Sequence, residues 1–279
     1  MTSSTAADGA GFAERELVRA RANRRQAAAY AEFFGPVTRR FLPYVEDALP
    51  PAARLVIDLG AGPGELAHAL TASGRRCVAV DIALAMLAAC RDGDTAAVAA
   101  DAGALPFAGA SVDAVTAAFL LPHLSDPARA LAEVTRVLRP HGTFVLITWA
   151  DPAASPFTGL ASLLLAEHGG ARVRGPLAEA EQRTAARWVT ALVRAGGFTG
   201  LQVETLSTTV LIESPRRWWR GMIGASTGLS QLLQASDLDV RRKVQEQFLA
   251  AAEAYRDATR LAVPVAAHVL QATWPGTGR

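Results

Sequence analysis

Between residues 54 and 149, short apolar runs alternate with stretches that have the composition of helices. The runs begin at Arg54, Cys77, Ala96, Val112 and Thr143. Continuous apolar runs this short are typical of strands that are buried on both faces. Because helices of ~10 residues between successive strands indicate βαβ units, we predict a parallel sheet that helices cover on both sides.

The segments on either side of this alternation are predicted to be mainly helical. A helix, an alternating strand from Leu201 to Ile212 and a second helical block lead to a last strand that starts at Leu261. We therefore predict an α/β fold in which a helical segment is inserted between the last two strands. Its parts are an N-terminal helical cap (1–50), a core (51–212) with a variable helical segment (150–185), an inserted helical lid (213–260), and a last strand and tail (261–279).

Composition excludes several classes of protein. The 279 residues are 51% hydrophobic and 19% charged, which excludes a disordered chain. The net charge is only +2 and no basic arm is present, which argues against a nucleic-acid partner. No apolar run reaches the ~18 residues of a membrane span, and no histidines, cysteines or carboxylates have metal-ligand spacing. We expect a cytoplasmic protein, monomeric or homodimeric, with no metal, membrane or nucleic-acid partner.

A glycine-rich turn follows the first predicted strand. Gly60-Ala61-Gly62-Pro63-Gly64 precedes a predicted helix, and glycines at such a place let a ligand approach the backbone closely. The spacing is G-x-G-x-G rather than the G-x-G-x-x-G of dinucleotide sites. By itself, the turn is equally compatible with a tight connection that binds no ligand.

Aspartates stand at or near the ends of three successive predicted strands. Asp58 leads into the glycine turn, Asp81 ends the second strand and Asp101 ends the third. A single strand-end aspartate is usually a helix cap or a turn former. Three of them beside a glycine turn are better explained by an adenosine site, in which Asp81 accepts from ribose hydroxyls and Asp101 from an adenine amino group.

Five stretches resemble, in order, the motifs of class I S-adenosylmethionine-dependent methyltransferases. Val56-Ile-Asp-Leu-Gly-Ala-Gly-Pro-Gly64 resembles the first motif and Ala79-Val-Asp81 the second. Residues 100–107, 111–124 and 130–142 are similar to the other three. The nearest subgroup is the ubiquinone- and menaquinone-biosynthesis type with its small-molecule, natural-product relatives. The resemblance implies a doubly wound, Rossmann-like sheet and S-adenosyl-L-methionine as the cofactor.

The resemblance also implies which residues contact the cofactor. Asp81 would hold the ribose, and Ala118 or Phe119 would line the sulfonium side. Tyr30 matches a tyrosine that often precedes the first motif, although a helix at the core edge would also account for it. The predicted contacts are Tyr30, Gly60, Ala61, Gly62, Asp81, Ile82, Asp101, Ala102, Ala118 and Phe119.

His123 is the histidine best placed to act as a catalytic base. It follows the fourth predicted strand, where the resemblance places the methyl group, and imidazole titrates near neutral pH. A base is needed only when the acceptor must lose a proton, because alignment in a dry site otherwise suffices. The alternative for His123 is a packing role. Two positions depart from the family's pattern: Pro122 replaces a common histidine, and His141 replaces the glycine that usually precedes Gly142.

The predicted function is methylation of a small, apolar biosynthetic metabolite, with transfer to oxygen favoured. The helical segments outside the core would form the acceptor pocket. Trp218 and Trp219 would either stack on an aromatic acceptor or pack in the protein body. The alternative function is a protein of this fold that binds the cofactor without methyl transfer and promotes a rearrangement or cyclisation.

Overall fold

The computed structural model describes residues 24–88, 90 and 95–276. In this part of the chain, eight strands form one sheet. The strands are β1 (Leu55–Leu59), β2 (Arg76–Asp81), β3 (Ala96–Ala99), β4 (Val112–Ala118), β5 (Leu138–Trp149), β6 (Thr199–Ile212), β7 (Arg256–Asp257) and β8 (Arg260–Thr273). Their order in the sheet is β3-β2-β1-β4-β5-β8-β6, and the short β7 pairs with β8.

Helices cover both faces of this sheet. Three 3-10 segments, Arg39–Phe41, Leu121–His123 and Glu253–Tyr255, connect regular elements. The α-helices are α1 (Arg24–Phe33), α2 (Gly35–Thr38), α3 (Leu42–Asp47), α4 (Glu65–Ala72), α5 (Leu84–Leu87), α6 (Pro127–Val137), α7 (Pro156–His168), α8 (Ala171–Thr184), α9 (Ala186–Ala195), α10 (Pro215–Ala225), α11 (Thr227–Ala235) and α12 (Leu238–Ala252).

Strands β1 to β5 are parallel, as the sequence predicts, and the order of strand addition reverses between β1 and β4. The chain passes outward from β1 through β2 to β3 and then returns to β4 on the other side of β1. At such a switch point, the carboxyl ends of the strands leave a crevice for a ligand. The glycine turn after β1 and the loop after β4 both open into it.

The last strands depart from the parallel pattern. β8 lies between β5 and β6 and runs antiparallel to both. Pro264 is part of β8, opposite Thr209 of β6, but the pairing of β8 with β5 ends at Ala267. Proline is tolerated there because this stretch of β8 lacks β5 on its other side. Helices α10 to α12 connect β6 to β7 and β8, which confirms the predicted insertion before the last long strand.

Two apolar clusters lie on opposite faces of the sheet. The larger joins the sheet to α1–α4, α7 and α10–α12, and the smaller joins it to α6 and α9. The inserted helices bury large side chains in the larger cluster, including Trp218 and Phe248. Since apolar burial is the main favourable contribution to folding, these helices belong to the folded body.

The predicted N-terminal cap is helical where the structure describes it, but not as long continuous helices. After α1 it is divided into α2, a 3-10 turn and α3, and Pro43 in the first turn of α3 lacks the N–H that would continue a helix. Residues 1–23 of the predicted cap and 277–279 of the predicted tail lie outside the described residues. Within the described ranges, no helix is long and apolar enough to cross a bilayer.

Candidate cofactor site

Backbone and carboxylate hydrogen bonds hold the glycine turn against the end of β2. The amides of Gly60 and Ala61 donate to the Val80 carbonyl at 2.7 and 3.0 Å. The Gly62 amide donates to Oδ2 of Asp81 at 2.9 Å. Asp81 therefore fixes the turn that it is predicted to border.

The turn is closed on one side and open on the other. Gly62 and Gly64 have φ values of 56° and 83°, which glycine adopts without steric cost. A Cβ on Gly64 would lie 2.1 Å from Sγ of Cys90, whereas a Cβ on Gly62 would meet no atom within 4 Å. The space above Gly62 is therefore where a ligand can approach the backbone.

A small pocket opens between the ends of β1, β2 and β3 and the loop after β4. Asp81 and Asp101 lie among its apolar walls. An apolar slot that offers carboxylate acceptors fits an adenosine, whose base packs on side chains and whose hydroxyl and amino groups donate hydrogen bonds. Of the predicted contacts, the pocket brings together Gly60, Asp81, Ile82, Asp101 and Ala102.

Both pocket carboxylates are also bonded to the backbone that follows them. Oδ1 of Asp81 accepts from the Ala83 amide at 2.8 Å, and Oδ1 of Asp101 accepts from the Gly103 amide at 2.8 Å. Burial raises the pKa of Asp81 above its usual range, against the lowering effect of the backbone amides of Ala83, Gly62 and Ile82. Each side chain is therefore oriented in advance, which reduces the entropy lost when a ligand binds.

Leu120 and Leu124 also line this pocket, and the sequence analysis did not identify them. The Leu120 side chain lies so close to the turn that a Cβ on Gly60 would be 2.7 Å from its Cδ1. The pairing of β4 with β1 brings the loop after β4 to this place. The sequence does show these leucines in the loop after the fourth predicted strand. They could have been predicted as pocket residues only if that strand had first been placed beside the first one.

Helix α6 holds the loop that carries Asp101. The Leu105 amide donates to Oε2 of Glu133 at 2.6 Å, and the Arg136 guanidinium donates to the carbonyls of Leu105 and Phe107 at 2.9 and 2.7 Å. Glu133 and Arg136 lie in the stretch that resembles the family's fifth motif. In this structure they support the pocket from outside it.

Ala118 and Phe119 are not part of the small pocket. The Phe119 ring lies 4.1 Å from that of Trp149 and 6.1 Å from that of Phe41, measured between ring centroids. Ala118 is half-buried against the larger of the two apolar clusters, to which Phe119 also belongs. Both residues therefore lie on the face of the sheet that α1 and the inserted helices cover.

Tyr30 brings α1 close to the carboxylates around the glycine turn. Burial, followed by the negative charges of Glu65 and Asp81, raises the pKa of Tyr30 to about 12. Its ring stacks on Phe34 with centroids 5.3 Å apart. A phenol with this pKa stays protonated near neutral pH, so Tyr30 is a hydrogen-bond donor and not a base.

Asp58 is buried behind the glycine turn. Its Oδ1 accepts from the Thr116 hydroxyl at 3.0 Å, whereas Oδ2 has no hydrogen-bond partner among the residues that the structure describes. Burial raises the pKa of Asp58 to about 7, and the charge of Asp81 adds to this effect, while Thr116 and the Ala67 amide lower it. A cationic ligand beside this carboxyl group would favour its ionised form.

His123 ends the 3-10 segment that follows β4. Leu121 of this segment is buried, whereas the His123 side chain is exposed. The His123 amide donates to the Leu120 carbonyl at 2.9 Å. A base role therefore requires the acceptor to reach this exposed side of the loop.

Aromatic side chains pack against one another between α1, α7 and the inserted helices. Trp218 is fully buried, and its Nε1 donates to the Phe157 carbonyl at 3.1 Å. Trp219 is half-buried against Phe248 at 5.1 Å. Of the two roles considered for this pair, the structure shows packing. We define the aromatic cluster as Tyr30, Phe33, Phe34, Phe41, Phe119, Trp149, Phe157, Trp218, Trp219 and Phe248.

No group of three or more histidine, cysteine, aspartate or glutamate side chains within the described ranges could hold a metal ion. The carboxylates of the site are separated along the strand ends and are bonded to backbone amides or a hydroxyl.

The sequence matches a family model described as a methyltransferase domain over residues 57–146. The demethylmenaquinone methyltransferase of Mycobacterium sp. (strain KMS) is 43% identical over 105 residues, which are 38% of this chain and 46% of that protein. The chain therefore spans about half the length of the curated relatives it matches.

Solved structures share the fold at low sequence identity. Phosphoethanolamine N-methyltransferase 2 of Haemonchus contortus, in complex with S-adenosyl-L-methionine, has a TM-score of 0.55 and 14% identity, over 91% of this chain and 57% of that chain. The [4+2]-cyclase SpnF has a TM-score of 0.50 and 18% identity, over 85% and 81%. These two likenesses show the fold alone. The family model and the curated relatives show that residues 57–146 of this chain are similar to the methyltransferase domain of class I S-adenosylmethionine-dependent enzymes of the quinone-biosynthesis-like type.

Proposed function

We propose that this protein transfers a methyl group from S-adenosylmethionine to a small, apolar acceptor, with oxygen as the accepting atom. The observation that carries the proposal is that the small pocket and the aromatic cluster are neighbours at the end of β4. The small pocket lies on one side of the end of β4, and the aromatic cluster, which includes Phe119, lies on the other. When bound, the cofactor supplies a methyl group that is already activated by its sulfonium. The protein then has to align the two molecules and exclude water.

In this proposal, the small pocket holds the adenosine. Asp81 accepts from the ribose hydroxyls, and Asp101 and the backbone of Ala102 bind the adenine edge. The open backbone at Gly62 borders the methionine part of the cofactor. The unpartnered oxygen of Asp58 supports this placement, because the positive charge of the cofactor would stabilise a buried carboxylate nearby.

The aromatic cluster supports an apolar acceptor. Aromatic rings offer large apolar contact areas with few polar groups. The indole N–H of Trp218 is already bonded to backbone, whereas the Tyr30 phenol lies within reach of the charges of Glu65 and Asp81 and is the polar group that this cluster brings towards the glycine turn. We propose that residues 213–260 act as a lid over the acceptor, with α1 on its other side.

Transfer to oxygen is proposed because His123 follows β4 and can take a proton from an acceptor hydroxyl near neutral pH. Because its side chain is exposed, the part of the acceptor that carries the hydroxyl would cover the imidazole in the complex. Alignment alone would serve an acceptor that is already ionised.

The function is tested by incubating the protein with methyl-labelled S-adenosylmethionine and a panel of phenols and quinols. We expect label in a methyl ether, and S-adenosylhomocysteine in a one-to-one ratio to that product. A product that forms without S-adenosylhomocysteine would contradict methyl transfer and indicate a rearrangement or cyclisation instead.

The base is tested with His123→Ala. We expect transfer to slow by roughly 10²–10⁴-fold, the usual contribution of a general base, and the acidic limb of the pH–rate profile to disappear. His141→Ala is the matched control, because it removes an exposed imidazole at the start of β5. An unchanged acidic limb in His123→Ala would exclude this histidine as the base.

A further inference from the structure

A second cleft lies between α1 and α10, on the face of the sheet that carries the aromatic cluster. It is lined by Ala29, Glu32 and Phe33 of α1 and by Arg217, Arg220 and Gly221 of α10, and its volume is about 260 Å³. None of these residues lines the small pocket. The proposed cofactor residues therefore do not account for this cleft.

Phe33 separates the cleft from the aromatic cluster. Its ring stacks on Phe157 with centroids 5.3 Å apart and meets the edge of Phe34 at 5.4 Å. Trp218 lies behind Phe157, with ring centroids 6.4 Å apart. A single aromatic side chain thus stands between the cleft and the region proposed for the acceptor.

Small residues let α1 and α10 approach closely at this point. A Cβ on Gly221 would lie 2.0–2.5 Å from the Phe33 ring, so the ring occupies the space that a side chain there would need. Gly224 lies one turn further along α10. A Cβ on Gly224 would lie 3.9 Å from the Cβ of Ala29 in α1. The helices therefore meet here through one bulky side chain, the Phe33 ring, which lies between the cleft and the aromatic cluster.

The rim of the cleft carries excess positive charge. Arg217 forms an ion pair with Glu32 across the two helices. Within the described part of the chain, Arg220 makes one hydrogen bond, from Nε to the Arg216 carbonyl at 3.4 Å, and no ion pair. Since a guanidinium has five N–H donors in a fixed fork, Arg220 retains donors for a planar anion such as a carboxylate.

We propose that this cleft is the acceptor entrance, that Phe33 is its gate, and that Arg220 selects an acceptor carrying an acidic group on an apolar, ring-containing body. The inference rests on the proposed function, because it assigns the substrate class of the same site. The apolar body would pass Phe33 into the aromatic cluster, and the acidic group would stay at the rim beside Arg220.

Selectivity is tested with two fluorescent probes that share one aromatic skeleton, 8-anilinonaphthalene-1-sulfonate and the uncharged N-phenyl-1-naphthylamine. We expect Arg220→Gln to weaken the binding of the sulfonate probe by about tenfold, which is the scale of a charge-assisted hydrogen bond at a partly exposed site. The affinity for the uncharged probe should stay unchanged. Arg220→Lys should recover part of the loss. Arg242→Gln, which removes an exposed arginine on α12, is the matched control and should change neither affinity. Equal affinity of Arg220→Gln and the parent protein for the sulfonate probe would overturn the assignment.

The gate is tested by stopped-flow mixing of the same probes with Phe33→Ala. Removal of the ring should speed the association of both probes severalfold, and unchanged rates would show that Phe33 is not the gate.

Arg220→Gln should bind S-adenosylmethionine as the parent protein does, because Arg220 lies outside the small pocket. Probe selectivity without any methylated product would contradict the proposed function but not the anion selectivity of the cleft.

Discussion

The small pocket, which we propose as the cofactor side, and the aromatic cluster, which we propose as the acceptor side, are built in different ways. Asp58, the glycine turn, Asp81 and Asp101 lie within one short part of the chain, and hydrogen bonds to backbone amides fix several of them. The aromatic cluster draws its members from Tyr30 to Phe248, and side-chain packing holds them. The first arrangement can be specified by a local motif, whereas the second depends on the whole fold. Acceptor choice can therefore change without rebuilding the cofactor site.

The largest effect on stability is expected on the acceptor side. Trp218→Ala should lower the free energy of unfolding by about 3–5 kcal/mol, the usual cost of removing a fully buried aromatic side chain. Trp219→Ala is the matched control. It should lower the free energy of unfolding by less, because the Trp219 side chain is only half-buried. Urea unfolding measures both. If folded Trp218→Ala also lost affinity for S-adenosylmethionine, the two sides would not be separable.

Gly64→Ala should produce the next largest effect, on the cofactor side. The positive φ costs a residue with a Cβ about 1–2 kcal/mol, and the contact with Cys90 adds roughly 1–3 kcal/mol of overpacking. Gly74→Ala isolates the first contribution, since Gly74 has a φ of 88° and open space around its virtual Cβ. Equal losses in thermal or urea unfolding would show that Cys90 adjusts and does not close this side of the turn.

Asp58 should make the cofactor side sensitive to pH. Because burial raises its folded-state pKa from 3.8 to about 7, the folded protein prefers the neutral acid, and stability should fall as pH rises from about 4 to 7. Asp58→Asn should remove this dependence on pH. It should raise the free energy of unfolding by roughly 1–3 kcal/mol at pH 8 and change it little at pH 4. Urea unfolding at the two pH values measures the difference. An equal effect of the substitution at both would contradict the buried, protonated state.

The smallest effect is expected at His141, which lies outside both sides of the site. Its φ of 66° is strained for a residue with a side chain, while its amide donates to the Trp274 carbonyl at 2.7 Å. His141→Gly should keep that bond and stabilise the protein by about 0.5–1 kcal/mol. Ala108→Gly, at an exposed loop position, should destabilise by a similar amount. A loss of stability in His141→Gly would show that the imidazole makes a compensating contact.

The sequence predicted the cofactor side because its determinants are local. Strand periodicity placed Asp81 and Asp101 at neighbouring strand ends, and the observed pocket contains both. Strand order was the missing information for Leu120 and Leu124, which become pocket residues only because β4 pairs with β1. Phe119, which the resemblance implies as a contact on the sulfonium side, has its ring in the aromatic cluster, and strand periodicity did not indicate this position.

The acceptor side could not be predicted in the same detail. The pattern of residues 213–260 indicated helices, but periodicity alone does not show which of two adjacent tryptophans is buried. Trp218 is buried because α10 packs on both α7 and α12, a relation between distant segments. Likewise, nothing near Gly221 in the sequence indicates that Phe33 of α1 would fill the space beside it.

The central claim is that the pocket at the carboxyl ends of β1, β2 and β3 binds the cofactor through Asp81. Calorimetric titration of S-adenosylmethionine into the parent protein and into Asp81→Asn tests it most directly. We expect one binding site in the parent protein, and an affinity in Asp81→Asn that is weaker by roughly 1.5–3 kcal/mol, the scale of hydrogen bonds to a charged group. The variant should still fold but melt at a lower temperature, because an amide keeps one of the two acceptor oxygens that bind the Gly62 and Ala83 amides. Equal affinities in the two folded proteins would remove Asp81 from the site and contradict the claim.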